Sequence, residues 1–164
     1  MVLSIQSAPP DTRVVALYEA HAGAVLAYAR RRVGPEGAED VLAETFLVAW
    51  RRRGDVPRDA LPWLYAVAGN IVRNRARSER RRVALEARLA AEPVRPVESD
   101  APDPRLREAL AALKPIDREA LLLTAWEGLS ADRAARAAGC SRATFHVRLH
   151  RARRRLAQAL EEMQ

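Results

Sequence analysis

His146 and His150 stand four residues apart, one helical turn, with Cys140 shortly before them. Two imidazoles on one face and a nearby thiol are ligand types that zinc accepts. No fourth ligand lies close by, so Cys140 reads more simply as a small buried residue of a turn, and the histidines as part of a polar face. The rest of the chain holds no Gly-rich phosphate loop, no paired-cysteine spacing and no nucleophile beside a poised base. The expectation is a protein that is not an enzyme and that calls for no metal and no cofactor.

The chemistry that the residues do support is contact with nucleic acid. Arg142, His146 and Arg151, followed by Arg153, Arg154 and Arg155, combine base-edge donors with a basic run suited to phosphates. The plain alternative is a solvated face whose charge suits a helix C-terminus. A second group lies upstream, where Asn70, Arg73, Asn74 and Arg77 run on to Arg80, Arg81 and Arg82 beside Trp63 and Tyr65. Amides, guanidinium groups and rings hold and stack on splayed bases. Trp63 also falls at helical spacing with apolar residues, which fits packing equally well.

These groups need helices to present them. Val14, Leu17, Tyr18, His21, Val25 and Tyr28 recur at three- and four-residue steps after a candidate N-cap at Asp11-Thr12. Gly34-Pro35 should end that helix near Val33 and start another, which places Val41, Leu42, Thr45, Phe46, Ala49 and Trp50 on one face. A third helix is expected from about Pro62, with Leu64, Val67, Ala68 and Ile71 inward. Beyond residue 104, Leu106, Ala109, Leu110 and Leu113 mark a helix halted by Pro115, and the next ends at Gly128. Ser130 should cap a short helix, Gly139-Cys140 should turn the chain, and Ser141 should cap a last basic helix reaching about Leu160. A short helix, a Gly-containing turn and a more basic helix form a helix-turn-helix.

Charge divides the chain further. The 164 residues carry a net +7, distributed as +5 over residues 1–82, −3 over 83–104 and +5 over 105–164. Pro93, Pro96, Pro102 and Pro104 fall in the acidic middle, which predicts a flexible, extended tether. The expected architecture is all-α: two small helical domains, 10–82 and 105–162, joined by a linker over 83–104. A lone cysteine argues against a disulfide scaffold. With no signal-peptide pattern and no apolar run of membrane-spanning length, a cytoplasmic protein without membrane insertion is expected.

Four stretches, in order, carry a family resemblance. Ala38 to Arg51 (Ala-Glu-Asp-Val-Leu-Ala-Glu-Thr-Phe-Leu-Val-Ala-Trp-Arg) resembles the core-binding helix in domain two of bacterial RNA polymerase sigma factors of the extracytoplasmic-function type. Pro62 to Asn70 matches the segment that follows it. Gly128-Leu129-Ser130 with Gly139-Cys140-Ser141, and then Arg148 to Leu156, are similar to the domain-four helix-turn-helix. The resemblance implies a promoter-specificity subunit with three contact regions. Asp40, Glu44, Phe46, Leu47, Trp50 and Arg51 would meet the clamp helices of the largest polymerase subunit, and the flap of the second subunit would be a further contact on core polymerase. Arg53, Trp63, Asn70, Arg73, Asn74 and Arg77 would serve the minus-ten element, with Asn70 the leading candidate for a flipped base. Arg142, His146, Val147, His150 and Arg151 would face the minus-thirty-five element. An anti-sigma factor would be a further partner.

The chain departs from the family's pattern at Ala43, Arg133, Ala134, His146 and Val147. These departures imply one fewer polar polymerase contact, a less well-filled helix-turn-helix core and an unusual minus-thirty-five preference. A stand-alone helix-turn-helix regulator, binding palindromic duplex without polymerase, is the competing reading.

Overall fold

The computed structural model describes residues 12–87 and 103–162. Six helices and no strand are present among them: α1 (Thr12–Arg51), α2 (Ala60–Ala87), α3 (Pro104–Ala112), α4 (Pro115–Ala125), α5 (Ala131–Ala137) and α6 (Arg142–Glu162). The expected cap at Asp11, and Pro93, Pro96 and Pro102 of the expected tether, lie outside the described residues.

α1 consists of two arms that meet at Gly34, whose φ of 77° and ψ of 172° interrupt the helix. That backbone region is open essentially only to glycine, and Pro35 follows it with the φ that a new helix needs. The bend lets Val25, Tyr28 and Ala29 of the first arm and Ala38, Val41, Leu42 and Phe46 of the second enter one core, which Leu64, Tyr65 and Ala68 of α2 complete. Thr45, fully buried in the second arm, donates its hydroxyl to the Val41 carbonyl at 2.6 Å and so leaves no unpaired group in the apolar interior. α2 begins at Ala60, slightly before Pro62, and runs through Val83 to Ala87, beyond the end expected at residue 82.

In the second half Pro104 is not part of the tether. It takes the first turn of α3, after Asp103, whose side chain accepts from the Arg105 amide at 2.9 Å. α4 ends in a turn where Gly128 has φ 65°, and Ser130 caps α5 through the Arg133 amide. Gly139, at φ 64°, turns the chain into α6, which Ser141 caps through the Thr144 amide at 3.1 Å. A left-handed conformation costs a non-glycine residue about 1–2 kcal/mol, so Gly139 keeps this turn tight. α6 packs on α3, α4 and α5, burying Phe145, Leu149 and Ala152.

The two halves do not stand apart: α5 lies against α2. Charge sorts the contact. Arg32 of α1, only 6% exposed, donates to both Glu119 oxygens and to Glu127, each at 2.9 Å. Arg31 pairs with the almost fully buried Glu127. The Tyr28 hydroxyl donates to Glu119 at 2.9 Å, and its ring lies 3.4 Å beneath the Arg32 guanidinium. Burial opposes the charge on Arg32, but Tyr28, Glu119 and Glu127 outweigh it and raise its pKa above the ordinary guanidinium value. At the start of α2, Asp59 accepts from Arg133 at 3.0 and 2.8 Å and from Arg136 at 2.7 Å.

Candidate nucleic-acid interface

The outward face of α2 carries Asn70, Arg73, Asn74 and Arg77 at three- and four-residue steps, and all four are exposed. Their spacing places them along one side of the helix. Asn70 accepts from Arg73 through its side-chain oxygen. Trp63 is half-buried against the core, with Arg52 5.9 Å from its ring, so packing claims much of the indole. Arg53 lies in the exposed turn after α1 and donates to the Trp50 carbonyl at 3.2 Å.

On the second arm of α1, Asp40, Glu44, Leu47 and Arg51 line one exposed edge at helical spacing. Leu47 is 43% and Trp50 47% exposed. Large apolar side chains so exposed beside a charged edge are the pattern of a protein interface. Phe46 does not share that surface. It is buried, with its ring edge-on to Tyr18 at 4.8 Å, and supports Trp50's arm from beneath. Asp40 and Glu44 reach Arg75 of α2 at 3.5 and 3.2 Å, which ties the apolar edge of α1 to the amide and arginine face of α2.

α6 presents Arg142, His146, Val147 and His150 outward, with Val147 62% exposed. Arg142 sits 3.2 Å from Asp132 of α5 and donates to His146 at 3.5 Å. Among the described residues no group of His, Cys, Asp and Glu is arranged to hold a metal. Arg151 lies on the flank rather than the outer face. It donates to both oxygens of Asp117, at 2.8 and 2.6 Å, and Arg155 approaches the same carboxylate at 3.5 Å. The Asp117 carboxyl is held below the ordinary carboxylate range, chiefly by the Arg151 hydrogen bonds, which override the cost of its burial.

Sequence reasoning missed the ionic contacts between the halves. Arg133, a departure expected to leave the helix-turn-helix loosely packed, has a specific partner in Asp59. Glu119 and Glu127, eight residues apart and facing Arg31 and Arg32, were a legible signal only in retrospect, since nothing local pairs them.

Residues 17–82 match the family described as Sigma-70 region 2, and residues 104–156 match Sigma-70, region 4. The "ECF RNA polymerase sigma factor SigL" of Mycobacterium tuberculosis is 36% identical over 157 residues, covering 90% of this chain and 89% of the relative. The "RNA polymerase sigma factor CarQ" of Myxococcus xanthus is 32% identical over 155 residues, with 90% and 89% covered. Among solved structures, the sigma factor RpoE in complex with the anti-sigma factor NepR from Bartonella quintana is 25% identical, with a TM-score of 0.69 over 90% of this chain and 96% of that one. CnrH in complex with the cytosolic domain of CnrY is 26% identical, with a TM-score of 0.64 over 91% and 88%.

Proposed function

Because the chain belongs to the sigma-70 family, as an alternative RNA polymerase sigma factor of the extracytoplasmic-function type that directs promoter-specific transcription, we propose that its three exposed faces divide the work of initiation. The observation that carries this division is the Arg75 bridge to Asp40 and Glu44. It runs from the edge of α1 that bears Leu47 and Trp50 to the face of α2 that bears Asn70 and Arg73, on two helices that share one core.

In this reading Asp40, Glu44, Leu47, Trp50 and Arg51 dock on the clamp helices of the largest core subunit, with Phe46 supporting them from the core. Arg53, Asn70, Arg73, Asn74 and Arg77 then meet the opened minus-ten element. Unstacking a base costs a few kcal/mol. Amide and guanidinium donors return that energy through hydrogen bonds to the base edge, and Trp63 backs the face by packing rather than by stacking. Arg142, His146, Val147 and His150 enter the minus-thirty-five groove, where the Val147 side chain suits a thymine methyl. Arg151, steadied by Asp117, meets the flanking phosphates in this reading. The apolar cleft of about 110 Å³ between α3, α4 and α6, lined by Leu106, Leu110, Leu121 and Trp126, is the surface this half offers to the flap of the second subunit.

An anti-sigma protein is the further partner supported by the complex of RpoE with the anti-sigma factor NepR. The same division of labour puts the polymerase and minus-ten work on the half that ends with α2 at Ala87 and the minus-thirty-five work on the half that opens with α3 at Pro104. No described helix is long and apolar enough to cross a membrane, and work on a promoter places the protein in the cytoplasm. The deciding experiment is transcription in vitro with purified core polymerase and a pool of promoter sequences. Selective initiation is expected only when chain and core are both present. Palindromic duplex binding by the chain alone, with no transcription, would favour the stand-alone regulator instead.

A further inference from the structure

The outward face of α5 is spoken for by the other half of the molecule. Asp132, Arg133 and Arg136 share that face, because the buried residues of this short helix are Ala134, Ala135 and Ala137. Asp132 pairs with Arg142 at the start of α6, so the face continues into the side of the helix-turn-helix that presents His146 and Val147. In this motif the first helix crosses the nucleic-acid backbone while the second enters the groove. Arg133 and Arg136 are therefore placed to meet phosphate. What they hold instead is Asp59, with Arg133 in a two-pronged contact and Arg136 on one oxygen of the same carboxylate. A carboxylate and a phosphate offer guanidinium the same paired oxygen acceptors.

We infer that Arg133 and Arg136 form a DNA phosphate-binding pair and that Asp59 is a built-in competitor, its carboxylate occupying the place of a backbone phosphate in the closed chain. The inference rests on the DNA-binding reading above. A second ionic contact holds the same arrangement shut from the α1 side, where Arg31 and Arg32 grip Glu119 and Glu127. The closed form also fails on dimensions. Elements centred near minus ten and minus thirty-five are separated by roughly 25 base pairs, or about 85 Å at about 3.4 Å each. A compact chain of this length has a radius of gyration of about 15 Å. The halves must separate before both elements can be held, and that separation frees Arg133 and Arg136 at the moment when DNA is to be bound.

The test compares the full-length chain with Asp59→Asn, with the triple variant Asp59→Asn/Glu119→Gln/Glu127→Gln, and with that triple carrying Arg133→Ala and Arg136→Ala. Each is measured by small-angle scattering and by anisotropy on a labelled 30-base-pair duplex across a salt series. The triple variant should expand by several ångströms in radius of gyration and bind duplex roughly tenfold more tightly. Its log–log salt slope should steepen by about 1.8, the value for two added phosphate contacts, and the two alanines should cancel both gains. A triple variant that stays as compact as the wild type overturns the ionic closure. One that expands yet binds no more tightly, or whose gain survives the alanines, overturns the phosphate pair. Transcription with core polymerase, run in parallel, keeps the two readings separable: wild-type initiation without the predicted gain sinks this inference alone, whereas absent initiation sinks the functional reading beneath it.

Discussion

Asp117, fully buried at the start of α4, accepts two hydrogen bonds from Arg151 of α6, at 2.8 and 2.6 Å. A carboxylate in that position survives only because its partner stays with it, so the pair fixes the rotation of α6 against α4. Asp117→Asn should lower stability by about 1–3 kcal/mol, the range for hydrogen bonds to charged groups, as read by urea denaturation at pH 7. The folded-state pKa of Asp117 lies below its ordinary value. Its contribution is thus complete above the ordinary carboxylate pKa of about 3.9 and is lost as pH falls through the lower folded value. The asparagine variant should show a smaller drop in stability between pH 5 and pH 3 than the wild type; equal drops would remove Asp117 from the acid response.

Gly69 of α2 lies where a Cβ would come within 2.8 Å of the Tyr28 hydroxyl and 3.2 Å of Arg73. The arginine tip has room to swing, but the phenol is anchored by its hydrogen bond to Glu119 and its stack on Tyr65. Gly69→Ala should therefore cost about 1–3 kcal/mol. In a double-mutant cycle with Tyr28→Phe, the two losses should be clearly non-additive. Additive losses would show that the alanine does not act through the phenol.

Leu47→Ala and Trp50→Ala should each weaken association with core polymerase, with Trp50 costing the more. A buried aromatic anchor at an interface commonly contributes about 2 kcal/mol or more, which corresponds to a loss of roughly 30-fold in an equilibrium competition against a labelled wild-type chain. Both side chains are substantially exposed in the isolated protein, so melting temperatures should barely move. A large fall in melting temperature would recast them as core residues.

Asn70→Ala should leave core association intact and reduce promoter opening, followed by permanganate reactivity of unpaired thymines. Arg73→Ala should act in the same direction, because its guanidinium is the group that orients the Asn70 side chain. Unchanged opening in the asparagine variant would remove that residue from base recognition.

Local punctuation made most of the helical plan legible. Gly34-Pro35, Gly128, Ser130, Gly139 and Ser141 each break or cap a helix through backbone preferences that need no tertiary context, and each does so in the structure. The end of α2 was missed because Val83 to Ala87 continue as helix formers past the arginine run that looked like a terminus. The contacts between the halves were missed for a different reason. Asp59 and Arg133, or Arg32 and Glu127, find each other only after folding, and net charge by segment reports an excess without saying which charges are already matched. Arg151 shows the same limit, since its type predicts phosphate contact whereas its position commits it to Asp117 first.

The length of α2 sets a leash. Its 28 residues form a rod of about 42 Å at 1.5 Å per residue, with Asp59 just before one end. The stretch from Ala87 to Pro104, drawn taut at about 3.4 Å per residue, reaches roughly 55 Å. Only the part of α2 from Asn70 to Ala87, about 26 Å, adds to that reach, so helix and connection together come to roughly 80 Å, just short of the roughly 85 Å between the two promoter elements, and the width of the second half has to supply the rest. Deleting Val83 to Ala87 from the end of α2, or a few residues of the connection that follows, should therefore narrow the range of spacer lengths that the protein tolerates, long spacers failing first, while each element on its own is still recognised.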